Sequence, residues 1–400
     1  EYGYPKGEKA FYKGKITWKN MKSAMKNGGK NNRWYISFAS ATALPVAGPA
    51  AFSEVVNPML AKQTQGLNQS CGIVLIDFAG SADGRTLIDN LILSNQPKPV
   101  AMPLRFKEGK LKIAQLTDVH WTPGSEKSEK GNPETILKVL DMEKPDVVIL
   151  TGDVVTSKPA KEGWKRIVEM METAGVPFAV TMGNHDAENW SEDSIYNYLS
   201  KSRLFIGKKG PESLSGTGNY ILPVYASDGT DKINALLYCM DSNDYTADAE
   251  KYGNYAWIDW GQIAWYREQS RQYTTKNNGN PLPALAFFHI GVPEFKHLQN
   301  RPDMYGHLGE GGGFPKINSG MFQSMIEMGD VMGVFVGHDH DNDYIAQEYG
   351  IALGYGRVSG HDAYGDLERG ARIIELFDDG CEFDIWIATP SGRWVGCYSP

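Results

Sequence analysis

Four hundred residues exceed what one ordinary hydrophobic core organises and leave room for two domains. Hydrophobic residues at 41% and charged residues at 22% exclude a chain dominated by disorder. A net charge of −8 excludes the basic field of a dedicated nucleic-acid binder, and no run approaches the roughly 18 consecutive apolar residues of a membrane span.

The charge is uneven. Residues 1–33 carry eight lysines and Arg33 against Glu1 and Glu8. This basic stretch reads either as a solvated helix face with loops or as a surface that makes peripheral contact with anionic lipid headgroups. A helix is expected near 16–27, a strand at Trp34–Ala39, a helix near 51–64, a strand at Gly72–Phe78 and a helix at about 84–95. Strands alternating with helices indicate parallel pairing. The run Gln96-Pro97-Lys98-Pro99-Val100-Ala101-Met102-Pro103 then disfavours both helix and sheet, so a linker divides residues 1–100 from 101–400.

Past the joint, Leu104–Phe106 and Leu111–Leu116 suggest a hairpin around Lys107–Lys110. Asn132 is placed to cap a helix that starts at Pro133 and runs to about Glu143. Asp146–Leu150 is a continuous apolar run, as a strand buried on both faces requires. A helix near 161–173 follows, then strands at Phe178–Thr181, Ala235–Met240, Ala284–Phe288 and Val331–Val336. Cys71 and Cys239 sit in apolar runs and read as buried thiols. Cys381 and Cys397 flank a terminal hairpin and could pair, which leaves the redox compartment open. Glu1 opens the chain with no Met and no signal-peptide pattern, which reads as a processed protein or a fragment.

Polar residues gather just after these strands: Asp118-Val119-His120, Gly152-Asp153, Gly183-Asn184-His185-Asp186, His289, and Gly337-His338-Asp339-His340. Loops from several strands converge at the carboxyl edge of an α/β sheet, and sites form there. Carboxylate, amide oxygen and imidazole are the donors that hard-to-borderline divalent ions take. A lone aspartate after a strand is usually a cap or turn residue, and a lone histidine usually a satisfied polar group. Five such clusters, each ending a separate buried strand, outweigh those readings.

The order of these clusters resembles the calcineurin-like metallophosphoesterases across residues 104–400. The segments at 238–245, 337–344 and 354–365 are similar to a purple acid phosphatase-like branch. The resemblance implies an α/β fold, a layered β-sandwich flanked by helices. It also implies a phosphoesterase with two divalent metal ions (Mn, Fe or Zn) and a small phosphorylated substrate. Asp118, His120, Asp153 and His340 would hold one ion; Asp153, Asn184, His289 and His338 would hold the other, with Asp153 bridging. His185 would act on the transition state or leaving group, with Asp186 orienting its ring. His297 and His307 are rivals to His289, which is preferred because it directly ends an apolar strand. Arg357 and His361, in a glycine-rich loop, could face substrate. Purple enzymes have a tyrosine where this chain has Thr156 and lack a histidine at the place of His120, so the purple chromophore is not expected. A monoesterase is the first reading. A diesterase, or a non-catalytic metal-binding or membrane-associating module, is the alternative.

Residues 16–96 resemble the C-terminal part of a bacterial phosphatidylinositol-specific phospholipase C. That likeness is carried by the order of a helix, residues 32–38, Asn57-Pro58, residues 72–78 and a last helix. It implies a βα fragment from the end of a TIM-like barrel, with Asp77 matching an aspartate that orients a catalytic histidine absent here. It also implies a truncated lipase–phosphatase fusion, whose second domain would act on a released inositol phosphate, and favours export.

Overall fold

Strands and helices alternate through the first hundred residues, as the sequence pattern requires. The computed structural model describes residues 6–27, 36–38, 49–65, 73–76, 81–95, 101–378 and 382–398, and the chain divides into two units, Glu1–Lys98 and Pro99–Pro400. The first unit contains α1 (Lys6–Asn27), β1 (Ile36–Phe38), α2 (Pro49–Thr64), β2 (Ile73–Leu75) and α3 (Ala82–Asn95). β1 and β2 pair in parallel, Ile36 opposite Ile73. Met21, Val56, Leu60, Leu87 and Leu91 form a small core between the three helices. Asn90 Nδ2 donates to the Ala61 carbonyl at 3.0 Å and ties α3 to α2. Lys15, Lys19, Lys22 and Lys26 of α1 are exposed. Cys71, Asp77, the Gln96–Val100 part of the joint, Cys381 and the Cys397 side chain lie outside the described residues.

The second unit begins with β3 (Lys110–Leu116), α4 (Asn132–Glu143), β4 (Val147–Thr151), α5 (Ala160–Ala174), β5 (Phe178–Thr181) and α6 (Glu192–Leu199). It continues through β6 (Tyr220–Tyr225), β7 (Ile233–Cys239), α7 (Ala249–Tyr252), α8 (Trp260–Lys276), β8 (Ala284–Phe287), α9 (Met321–Met328) and β9 (Val331–Val336). Five strands close it: β10 (Ile345–Glu348), β11 (Ile351–Tyr355), β12 (Ala371–Phe377), β13 (Phe383–Thr389) and β14 (Gly392–Tyr398). They build two six-stranded sheets, ordered β14-β13-β12-β3-β4-β5 and β10-β11-β9-β8-β7-β6. β3, β4 and β5 run parallel in the first sheet, and β7, β8, β9 and β11 in the second. All these strands therefore deliver their carboxyl ends to one edge of their own sheet.

Side chains alternate across a strand, and the second sheet shows that period of two in its packing. Leu237, Cys239, Leu285, Phe287, Phe335 and Ala352 join the core shared with the first sheet. Their neighbours Leu236, Tyr238, Ala284, Ala286, Val334 and Leu353 turn outward onto a second core that includes Ile263, Tyr266, Phe322 and Met325 of α8 and α9. Phe335 is the junction between the sheets: it stacks on Phe287 at 5.5 Å and meets the edge of Phe383, on β13, at 5.9 Å. The first sheet is covered on its far face by α4 and α5 through Ile136, Val139, Trp164 and Ile167. The unit is layered α/β, as the strand pattern implies, and takes the form of the helix-flanked sandwich that the family resemblance implies.

Two local expectations need correction. The turn at Lys107–Lys110 forms, but Leu104–Phe106 does not pair back as a hairpin arm. It runs beside the end of β6, with Phe106 N–H donating to Tyr225 O at 3.0 Å and Tyr225 N–H to Leu104 O at 2.9 Å. Asn132 does not cap α4. Its backbone is helical and a π-helical turn, Lys127–Gly131, runs into it. The Asn132 side chain instead accepts the His361 N–H at 2.8 Å, a tertiary bond that outcompetes local capping.

Phe335→Ala should cost about 3–5 kcal/mol of stability, as large-to-small changes of a buried aromatic do. Denaturant unfolding of the full chain measures it, and a loss below about 1 kcal/mol would mean that this ring does not couple the two sheets.

Candidate metal centre

The carboxyl ends of β3, β4, β5, β8 and β9 each release the chain into a short loop that carries polar side chains inward. Four of these residues adopt left-handed backbone: Asp118 at φ 51°, His120 at 46°, Asp153 at 49° and His338 at 79°. Such conformations cost a non-glycine residue about 1–3 kcal/mol and persist where the surroundings over-determine them. The glycines that precede the donors are required by closeness. A methyl on Gly337 would strike the Thr117 hydroxyl and come within 2.7 Å of Asp118 Oδ2, and one on Gly183 would collide with the Asp153 backbone N and Oδ1.

Two groups of donors result. The ligand atoms of Asp118, His120 and His340 lie within 4.8 Å of one another, as do those of Asp153, His289 and His338. Asp153 stands between the groups. Its Oδ2 faces His120 Nε2 at 3.6 Å and His289 Nε2 at 3.3 Å, while its Oδ1 accepts the His185 N–H at 2.9 Å. Asp118 Oδ1 faces His340 Nε2 at 3.3 Å, and its Oδ2 accepts from the Thr117 hydroxyl at 2.7 Å and the His338 N–H at 3.0 Å. His289 Nδ1 lies 2.8 Å from the Thr151 carbonyl, to which it donates, so Nε2 is the nitrogen turned toward Asp153 and the one a cation would take on losing its proton.

Buried polar atoms without a hydrogen-bond partner are rare in folded proteins. Here His120 Nε2 and His289 Nε2, the two nitrogens that face Asp153 Oδ2, are both in that state, and so are Asn184 Oδ1 and His340 Nδ1. Asn184 is aimed by its other amide atom, Nδ2 donating to the Tyr245 hydroxyl at 2.8 Å. Nitrogen and oxygen donors of this kind, unsatisfied and buried, fit divalent cations.

Charge distribution follows from the same contacts. Burial works against ionised Asp118, but the His340 and His289 imidazoles outweigh it and hold the carboxyl at about 2. Burial likewise opposes ionised Asp153, and His289 and His120 hold it well below the usual carboxylate range. Burial opposes protonation of His289, yet Asp153 lifts it to about 10. Burial and then the His289 charge push His338 down to about 3, so its imidazole is neutral.

His185 lies at the mouth, partly exposed. Its expected partner is wrong. Asp186 is buried with both oxygens committed to backbone: Oδ1 accepts from Val154 and Val155 N–H at 2.9 and 3.0 Å, and Oδ2 from Gly183 N–H at 2.9 Å. It locks the two loops together. Burial and then the Asp153 charge lift its carboxyl to about 7. The His185 ring is held instead by Glu188, whose Oε1 sits 2.8 Å from Nδ1. Glu188 was invisible to strand-end reasoning because it lies in the 3-10 turn Asp186–Glu188.

Arg357 and His361 do not face this cavity. Arg357 is buried in an ion pair with Asp343 and donates to the Glu368 carbonyl. His361 Nε2 lies 2.7 Å from the Thr135 hydroxyl on α4. His297 pairs with Glu348 on the surface and His307 is exposed, which leaves His289 as the histidine in the cluster. The cavity of about 500 Å³ over the donors is walled also by Tyr255, Glu310, Gly311–Gly313, Asp339 and Tyr364. Tyr255 meets His338 edge-on at 4.5 Å, and Tyr364 stacks on His340 at 3.9 Å. Only the aromatic content of these loops hinted at them in sequence. A larger cavity, about 970 Å³, lies beside Met102, Leu137, Pro145 and Val176 and contains none of the donors.

Residues 111–342 match the family model described as calcineurin-like phosphoesterase. A probable inactive purple acid phosphatase 29 of Arabidopsis thaliana is 31% identical over 304 residues, 68% of this chain and 78% of the relative. Phosphatase DCR2 of Saccharomyces cerevisiae is 30% identical over 309 residues, 67% of this chain and 52% of the relative. The crystal structure of a dimetal phosphatase from Danio rerio, 13% identical, covers 72% of this chain and 98% of its own, with a TM-score of 0.48.

Because a dication must displace the protons that Asp153 holds on His289 and His120, metal uptake should weaken as pH falls. Equilibrium dialysis between pH 8 and 6 should show affinity dropping about tenfold per unit for each proton displaced, and a pH-independent affinity would contradict the donor set.

Proposed function

We propose that this chain, which belongs to the calcineurin-like phosphoesterase family and is a phosphoric ester hydrolase, acts as a phosphomonoesterase on small phosphorylated metabolites. The observation that carries this reading is the pair of donor groups meeting at one oxygen, Asp153 Oδ2. Asp118, His120 and His340 with Asp153 would hold one divalent ion, and Asn184, His289 and His338 with Asp153 the other. When bound, such a pair supplies Lewis-acid activation of water and neutralises phosphoryl charge.

The chain's own residues do the rest. Thr117, the Thr151 carbonyl and Tyr245 hold Asp118, His289 and Asn184 in orientation, so the donors need little rearrangement. Glu188 engages His185 Nδ1 and leaves Nε2 as the nitrogen available to donate a proton to the departing alkoxide or to meet phosphoryl charge. A cavity of about 500 Å³ suits a small metabolite.

A diesterase would use the same donors, and turnover of p-nitrophenyl phosphate against its bis-ester separates the two. That the Arabidopsis thaliana relative is named a probable inactive phosphatase raises the non-catalytic alternative. Against it stands the full set of donors together with His185 in this chain.

His185→Ala should retain both ions in metal analysis and lose roughly 10²–10⁴-fold in turnover, the usual contribution of a positioned acid or base. Asp153→Asn should lose metal as well, and full activity in Asp153→Asn would overturn the assignment. Glu188→Ala should lose more on alkyl phosphates than on p-nitrophenyl phosphate, since a poor leaving group depends on proton donation. Equal losses on both would mean that Glu188 does not act through His185.

A further inference from the structure

With phosphate held at the donors, the remaining wall of the cavity decides which alcohol can accompany it. Among the described residues no lysine or arginine lines that wall. The arginines of the neighbouring loop are already engaged, Arg357 as above and Arg369 by the carbonyls of residues 363–365 and 367. Asp339 is buried, with its oxygens accepting the Tyr355 hydroxyl at 2.6 Å and the Gly313 N–H at 2.9 Å. Glu310 is different. Its two oxygens lie 3.0 and 2.9 Å from the Tyr364 hydroxyl, one ring away from His340, and Oε1 also accepts the Asp341 N–H at 2.9 Å.

The fold fixes that carboxylate in place. Buried Asn342 accepts the N–H groups of Gly309 and Glu310 at 3.0 and 3.2 Å and donates to the Glu310 carbonyl at 3.1 Å. The loop then passes so close to the donors that a methyl on Gly313 would lie 2.7 Å from His338 Nε2 and 2.9 Å from the Tyr255 ring. A clamped carboxylate bonded to Tyr364, in a cavity that Tyr255 also lines, attracts a cation through charge and ring quadrupole together. A second phosphate or a carboxylate on the alcohol would find no counter-charge and would meet Glu310.

Resting on the phosphomonoesterase reading, we propose that the site selects monoesters whose alcohol carries a positive charge, the phosphorylated amino alcohols, and disfavours alcohols bearing further anionic groups. An alcohol carrying several phosphates is therefore a poor fit to this wall.

The test uses the full chain loaded with manganese and compares kcat/KM for phosphoethanolamine, 2-phosphoglycolate and p-nitrophenyl phosphate. Phosphoethanolamine should exceed 2-phosphoglycolate by about tenfold or more, Glu310→Gln should shrink that ratio by about tenfold, and Glu310→Lys should invert it. If the wild type hydrolyses p-nitrophenyl phosphate but shows a ratio near or below unity, the charge selection is wrong while the esterase reading stands. A ratio unchanged in Glu310→Gln would remove Glu310 as its source and overturn the proposal. No turnover of any of the three by the wild type would overturn the esterase reading and this inference with it.

Discussion

A carboxylate buried among imidazoles is the constraint on which the second unit depends. Asp153 is 2% exposed, and isolating its charge there would cost several kcal/mol without compensation. Compensation comes from three directions: the His185 N–H on Oδ1, and His120 and His289 facing Oδ2. Each of those partners comes from a different strand end, so both sheets must be assembled before Asp153 is satisfied. Divalent cations held by the two donor groups would satisfy the same carboxylate with stronger charges.

The sandwich makes this convergence possible by running its central strands parallel. β3, β4 and β5 carry Asp118, Asp153 and Asn184 past the carboxyl edge of one sheet, and β8 and β9 carry His289 and His338 past that of the other. The loops must then turn sharply inward, which is where the left-handed residues and the obligatory glycines occur. Strain at the ends is balanced by apolar burial along the strands, with Phe335 joining the layers beneath the site. Outer contacts such as Asp186 on three backbone N–H groups hold the loops in register without touching substrate.

Much of this was legible in sequence because parallel strands buried on both faces are written as short apolar runs, and a donor directly beyond such a run has few other roles. Asp118, His120, Asp153, Asn184, His289, His338 and His340 all carry that signature, and they meet in space. The residues that sequence reasoning misplaced are those whose roles are set by distant partners. Asp186 adjoins His185 in the chain, yet its carboxylate is drawn to the backbone of residues 154 and 155. Arg357 sits in a glycine-rich loop, but Asp343 has taken its guanidinium. Glu188, Glu310 and Tyr364 gained their places from loops with no period to read. The short strands β10 and β11 and the edge strand β6 were hidden for a related reason, since their pairing is decided by the sheet they join.

If Asp153 holds one ion in each donor group, the two would share its carboxylate, and electron paramagnetic resonance of the manganese-loaded chain tests that directly. The expected result is two Mn(II) per chain with an exchange-coupled spectrum, because ions sharing a carboxylate would be magnetically linked. Two ions giving independent six-line spectra, or a single ion per chain at saturation, would contradict the bridging role of Asp153.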